Sequence, residues 1–398
     1  MAGALGITGV AACGILVSVL AQGGGSAKLS LSSDSSMHGS AGRSAKHWSF
    51  STLDNKNDPT FNQLLGINNR GQISGYSGSG AKGHPNKGYL LDLSRNGSRY
   101  QNENFPGAVQ TQVTGLNDWG VTVGFYSTQN TASMANNNFG FYTMHGMFHR
   151  LNFPTGNPAK PPVDQLLGVN DGGMAVGFFV NKQGNNRGYE YNILTHRFHR
   201  VMVPGAPMGL KSPSLTATAI NNAGDVAGFY TASGGMTDAF LKTAHHFTKL
   251  AVHGASMTQA FGVNDRDEVV GAYTTGSGSG AKTYGFTWTR RMGFRTVNDP
   301  MGVGSTIING VNDAGDLVGF YNDAAGNTHG LLRAAGHHLA PVAPVPGPSM
   351  MPSMTPMPSM TPMPSMTPMP SMTPMPSMTP TPAPTSTGTA TPPPGGPW

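Results

Sequence analysis

One phrase recurs six times along the chain: GINNRGQISGY, GLNDWGVTVGFY, GVNDGGMAVGFF, AINNAGDVAGFY, GVNDRDEVVGAY and GVNDAGDLVGFY. Its asparagines are Asn68, Asn117, Asn170, Asn221, Asn264 and Asn312, spaced 49, 53, 51, 43 and 48 residues apart. Seven residues after each asparagine stands a glycine: Gly75, Gly124, Gly177, Gly228, Gly271 and Gly319. A period of this length marks a repeat architecture, in which each unit is one supersecondary element that buries its apolar face only against its neighbours.

Each unit reads as four short strands. In the second unit they are expected at 112–116, 121–126, 140–143 and 147–153. The first turn is Asn-Asp/Asn-x-Gly in five of the six copies. Asn and Asp suit the early positions of a tight turn, and Gly accepts the positive φ that closes it. Copy five has Asp267 in that slot, a residue that tolerates the left-handed region. The second strand is apolar on both faces, with Val318 and Phe320 on one and Leu317 and Tyr321 on the other. A strand buried on both sides needs cover above and below, which a ring of neighbouring sheets supplies. The strand-two glycine then suits close backbone approach near the crowded axis. Strand four keeps an aromatic at one place (Tyr100, Phe148, Phe198, Phe247, Phe294) and is followed by polar residues, as suits an outer edge guarded against pairing.

The sixth unit ends weakly at His337-His338-Leu339-Ala340-Pro341, while 47–54 (HWSFSTLD) reads as a fourth strand without its sheet, with Phe50 in the aromatic place. If that segment completes the last unit, the two ends of the repeat array are clasped. The expectation is an all-β, six-bladed β-propeller with four-stranded blades over 47–342.

The units resemble the bacterial extracellular HAF-repeat family, whose phrase runs roughly G-I-N-x-x-G-x-I-V-G-x-Y, then H-A-F, then a strand ending F-x-P-G-A. All six units carry the first half. The tripeptide is poorly kept, Asp238-Ala-Phe240 and His329-Gly-Leu331 being nearest, and the ending survives as Phe105-Pro-Gly-Ala108 and Val203-Pro-Gly-Ala206. The resemblance covers about three quarters of the chain. It implies an exported bacterial protein of propeller-like build, and it lends no activity.

The flanks differ in kind. Residues 2–21 are an uncharged apolar run with Val19 and Ala21 at the −3 and −1 positions of a signal-peptidase cut, so 1–21 reads as a signal peptide despite lacking an early Lys or Arg. An uncleaved membrane anchor and a lipoprotein cut before Cys13 are the alternatives. Cleavage after Ala21 would remove Cys13, the one cysteine, and with it any disulfide or thiolate metal site. Residues 22–46 form a Gly/Ser-rich flexible lead. The tail, 343–398, is uncharged and holds five copies of MPSMTP between 351 and 380. Methionine at every third residue would line one face of a polyproline II helix about 9 Å apart, too wide for two thioethers to share one copper ion. The tail is expected to be disordered or extended.

No catalytic constellation stands out. Asn312–Asp316 resembles the start of a calcium loop but lacks a closing Glu and reads as a hairpin turn. His196 and His199 would point to opposite faces of a strand, so no metal, cofactor or catalytic residue is assigned, and no specific nucleic-acid partner. Charge is more informative. The long connections (77–87, 127–138, 274–283 and the crossovers 154–163 and 204–215) leave the blade ends opposite the Asn turns. They and their flanks carry Lys82, Lys87, Lys160, Lys182, Arg187, Lys211 and Lys282, with Lys56, against Asp58 and Asp323. The Asn turns are acidic, with Asp118, Asp171, Asp265 and Asp313 among their residues. Variable loops on a rigid scaffold are where binding usually sits. The expected function is therefore a secreted or envelope-displayed binding or structural module whose long-loop face holds an anionic envelope polymer or glycan. A propeller lyase or hydrolase acting on such a polymer, and a surface repeat without a specific ligand, are the rivals.

Overall fold

The computed structural model describes residues 49–335 apart from 82, 94–98, 131–135, 156–157, 207–212 and 232–234. The expected signal peptide, flexible lead and Met/Pro-rich tail lie outside the described residues, as do Lys82 and Lys211. The described residues are all-β, with a single 3-10 turn at Gly278–Gly280.

After β1 (Ser49–Thr52), the first unit comprises β2 (Asn62–Ile67), β3 (Gln72–Ser77), β4 (Lys87–Asp92) and β5 (Arg99–Asn102). The second comprises β6 (Gln110–Leu116), β7 (Thr122–Ser127), β8 (Phe139–Met144) and β9 (Met147–Leu151). The third comprises β10 (Asp164–Val169), β11 (Met174–Val180), β12 (Asn186–Asn192) and β13 (Arg197–Arg200). The fourth comprises β14 (Ser214–Ile220), β15 (Val226–Thr231), β16 (Thr237–Lys242) and β17 (Phe247–Leu250). The fifth comprises β18 (Met257–Val263), β19 (Val269–Thr275), β20 (Lys282–Thr289) and β21 (Gly293–Val297). The sixth supplies β22 (Thr306–Val311), β23 (Leu317–Asn322) and β24 (Thr328–Ala334).

Within each unit the strands run antiparallel and up-and-down, and the sheets take a β-propeller arrangement. The sixth lacks a fourth strand of its own among the described residues, and β1 fills the place, pairing with β24 from Ser49↔Ala334 to Thr52↔Leu331. Six separate sheets are not what forms. Four sheets have four strands each, and the fourth and fifth units share one eight-stranded sheet. The cause is a parallel bridge, Thr237↔Met257, between the first residues of β16 and β18, where two neighbouring strands run side by side from the same end.

The core sits between neighbouring units. Val123 and Tyr142 of the second pack with Leu166, Tyr189 and Tyr191 of the third, and Leu64, Ile73 and Tyr89 of the first pack with Val318 of the sixth. The second strand is buried along nearly its whole length, as its two apolar faces require.

The recurring glycines have another cause than the expected one. A Cβ on Gly177 or Gly319 would lie 2.0 or 1.9 Å from a strand-one carbonyl oxygen of its own sheet, Gln165 or Ile307. Close approach at the axis belongs instead to the strand-one glycine. A Cβ on Gly310 would meet Gly66 Cα at 3.1 Å, and one on Gly66 would meet Gly115 Cα at 3.2 Å. Every inner strand carries a β-bulge just before this position, as between Leu64 and Gly66 or Ile308 and Gly310.

Two sets of hydrogen bonds fasten unit to unit. Oδ1 of the recurring asparagine accepts two turn N–H groups, as Asn117 does from Trp119 and Val121. Its Nδ2 donates to the carbonyl of the next unit's asparagine, Asn117 to Asn170 at 3.0 Å, and Asn312 donates to Asn68 at 3.4 Å to close the circle. Six residues before the asparagine, a side chain accepts an N–H from the incoming crossover. Asn62 accepts from Asn55, Thr111 from Phe105, Asp164 from Phe153, Thr258 from Val252 and Thr306 from Asp299. Leu215 holds that place in the fourth unit.

Candidate functional site

The six Asn turns converge on one mouth at the axis. The residue after each recurring asparagine forms a closed ring: Asn69, Asp118, Asp171, Asn222, Asp265 and Asp313. The backbone N–H of each donates to the side-chain oxygen of the next at 2.7–2.9 Å, and Asp313 N–H returns to Asn69 Oδ1 at 2.8 Å. The two amides bridge the carboxylates. Asn69 Nδ2 donates to Asp118 Oδ2 (3.0 Å) and Asp313 Oδ2 (2.9 Å), and Asn222 Nδ2 donates to Asp171 and Asp265, each at 2.9 Å. Asp118 stands directly beside Asp171, and Asp265 beside Asp313, with no amide Nδ2 between. At the rim Trp119 is 69% exposed, with the Arg70 guanidinium 5.6 Å from its ring centre.

Beneath the mouth runs a bore. A cavity of about 70 Å³ reaches from the ring to a collar of Ile67, Leu116, Val169, Ile220, Val263 and Val311. A second, about 80 Å³, continues from the same collar to the bulge residues Leu65, Thr114, Leu167, Thr218, Phe261 and Asn309. A bulge leaves one residue out of the ladder and re-aims its side chain, and here all six line the bore. Thr114 and Thr218 spend their hydroxyls on neighbouring carbonyls, Leu166 O at 2.7 Å and Ala260 O at 3.0 Å. Asn309 Nδ2 does the same with Leu64 O at 2.9 Å, and its Oδ1 is buried without a partner.

The long-loop end carries the expected basic residues unevenly. Lys87, Lys160, Lys182 and Lys282 are exposed, and the Lys87 ammonium donates to Val109 O at 3.1 Å. The Pro158↔Asn181 bridge brings the loops of Lys160 and Lys182 together. Arg187 differs: it is 6% exposed, it donates to Pro213 O at 2.9 Å, and burial lowers its pKa. Its acceptor Pro213 belongs to the next unit's approach, which lies over it only once two units stand side by side.

At the same end, in the last sheet, His329 Nδ1 faces Asp54 Oδ2 at 2.7 Å and Nε2 faces Asp323 Oδ2 at 3.1 Å. Burial disfavours the imidazolium, but the hydrogen bonds and charges of the two carboxylates outweigh it and raise the His329 pKa above 6.5. Asp323 is lowered to about 2, first by the Asn327 side chain and also by His329. Both ring nitrogens are occupied, and with the Gly330 N–H donating to Asp54 Oδ1 the cluster clamps the segment after β1 onto β24. Asp316 is likewise structural. It is buried, tied to Asn312 through Nδ2 (3.0 Å), and accepts Ala335 N–H, so the calcium-like run is a turn.

No family model and no curated protein matches the chain. Solved structures do. A putative TolB from Agrobacterium tumefaciens is 11% identical over 69% of this chain and 91% of its own, with a TM-score of 0.44. Virginiamycin B lyase from Staphylococcus aureus is 11% identical over 71% of this chain and 88% of its own, with a TM-score of 0.38. A mutant Aleuria aurantia lectin in complex with Fucα1-6GlcNAc is 9% identical over 59% and 77%, with a TM-score of 0.37. At such likeness none of their activities passes to this chain.

Proposed function

We propose that the chain is a six-bladed propeller of the HAF-repeat kind, exported from a bacterial cell, that binds an anionic envelope polymer or glycan through its long-loop end. The six-blade count is supported by the axial ring, to which each of the six units contributes one turn and one inner strand, whatever sheet its strands join. The binding reading is carried by one observation: Lys160 and Lys182 stand exposed on bridged loops of the same end as Lys87 and Lys282. Arg187 adds nothing to that surface. Asp54, Asp58 and Asp323 make the closing sector less positive than the rest, so a polyanion would lie across the sector of Lys160 and Lys182. Export and display rest on residues 1–21 and on the family resemblance. No helix among the described residues is long and apolar enough to cross a membrane.

The test is charge reversal of Lys160, Lys182 and Lys282 to Glu, followed by chromatography on immobilised dextran sulfate. Retention of the native protein should fall steeply with salt, because exposed charges are screened beyond about 10 Å at 0.1 M, and the triple variant should elute early. Equal retention of the two proteins, or retention indifferent to salt, would refute the reading.

A further inference from the structure

The opposite end of the molecule carries a second site. We propose that the axial bore takes a linear alkylammonium ligand with a hydrogen-bond donor at its far end. The ammonium sits in the Asp118, Asp171, Asp265 and Asp313 ring, the methylenes lie in the collar, and the distal donor meets Asn309 Oδ1.

Three layers of the bore match three parts of such a ligand. In the ring each carboxylate has accepted two N–H groups, from a total of about four acceptor sites per carboxylate. Four negative charges thus keep acceptor capacity facing one opening. An ammonium brings three hydrogen-bond donors to such a set of acceptors. The collar below is aliphatic at all six positions, so it offers methylene groups cover and offers a second charge nothing.

Asn309 supplies the deep end, independently of the acids. It is 2% exposed, its bulge turns it into the bore, and its carbonyl has no partner, a state buried polar groups rarely keep. The other bulge residues show that an amide is not needed for packing there, since a threonine makes the same link to the next strand in two units. Asn309 lies four residues before Asp313 of the acidic ring, roughly 13 Å along the chain at about 3.3 Å per residue. A five-carbon chain with its two hydrogen bonds spans such a distance.

The experiment is calorimetric titration of the full chain with 5-amino-1-pentanol and with pentylamine. The alcohol should bind about fivefold more tightly, the worth of one hydrogen bond. Asn309→Thr, which installs the side chain of Thr114 and Thr218, should erase that difference and leave pentylamine affinity unchanged. Asp265→Asn with Asp313→Asn should weaken both ligands severalfold. Matched melting curves would confirm that the variants are folded. The proposal is overturned if neither amine binds saturably above sodium at equal ionic strength. It is also overturned if the two bind native protein equally, or if Asn309→Thr leaves the alcohol's advantage intact. None of these results touches the polymer reading, whose lysines lie at the other end.

Discussion

Asp164→Asn should stabilise the protein at neutral pH and remove much of its pH dependence between about 4 and 7. Asp164 is 5% exposed at the start of β10. It accepts the Phe153 N–H at 2.7 Å and the Tyr189 hydroxyl at 2.6 Å. Burial raises its pKa from 3.8 to about 7, against the opposing pull of those two hydrogen bonds. The sign follows from proton counting. Between the two values the folded chain holds a proton that the unfolded chain has lost, so stability falls as pH rises through this window. At 1.36 kcal/mol per pH unit, the full window is worth about 4 kcal/mol, an upper figure. An asparagine keeps the acceptor for Phe153 and carries no charge. Neutral side chains already do this job elsewhere: Asn62, Thr111, Thr258 and Thr306 accept the equivalent N–H. The assay is urea unfolding of both proteins from pH 4 to 8. The stability difference should be near zero at the acid end and favour the variant by about 2–4 kcal/mol above pH 7. A difference that does not change with pH would refute the buried-carboxyl argument.

Removing β1 by starting the chain at Asn55 should lower the melting temperature by many degrees, because β24 loses its partner strand and the Phe50 face of the core is exposed. An unchanged melting curve would mean that β1 does not close the ring. The His329 clamp predicts a second pH effect. Because the folded-state pKa is raised, its stabilisation is fully present below 6.5 and is lost as pH rises through the folded value. His329→Gln should therefore destabilise at pH 5.5 and matter least at pH 9, as read from melting temperatures; a constant difference would contradict the clamp. Asn117→Ala removes a buried side chain that caps its own turn and bonds the next unit, and should cost about 2–3 kcal/mol in urea unfolding.

What the chain wrote locally was readable from the sequence. The Asn-x-x-Gly turns, the doubly apolar second strand, the polar outer strand and the orphan strand around Phe50 all depend on residues within a few positions of one another. Their backbone and burial preferences are properties of the segment itself. Asp267 is a case in point: an L-residue in the glycine slot, it takes φ of 58° as the turn demands. What required the tertiary structure was everything decided between units. The recurring asparagine looked like a turn residue, and its second bond, to a carbonyl about fifty residues away, exists only once two units stand side by side. The axial glycine proved to be that of strand one, because only the assembled ring shows which strand lies innermost. Arg187 counted as a surface charge until the neighbouring approach covered it. Asp164 and Asn309 were silent, since a carboxyl's pKa and an amide's unmet carbonyl are set by the burial that neighbouring strands impose. Short-range propensity passes through the sequence intact, whereas burial and long-range hydrogen bonds are relations between segments that only the closed ring brings together.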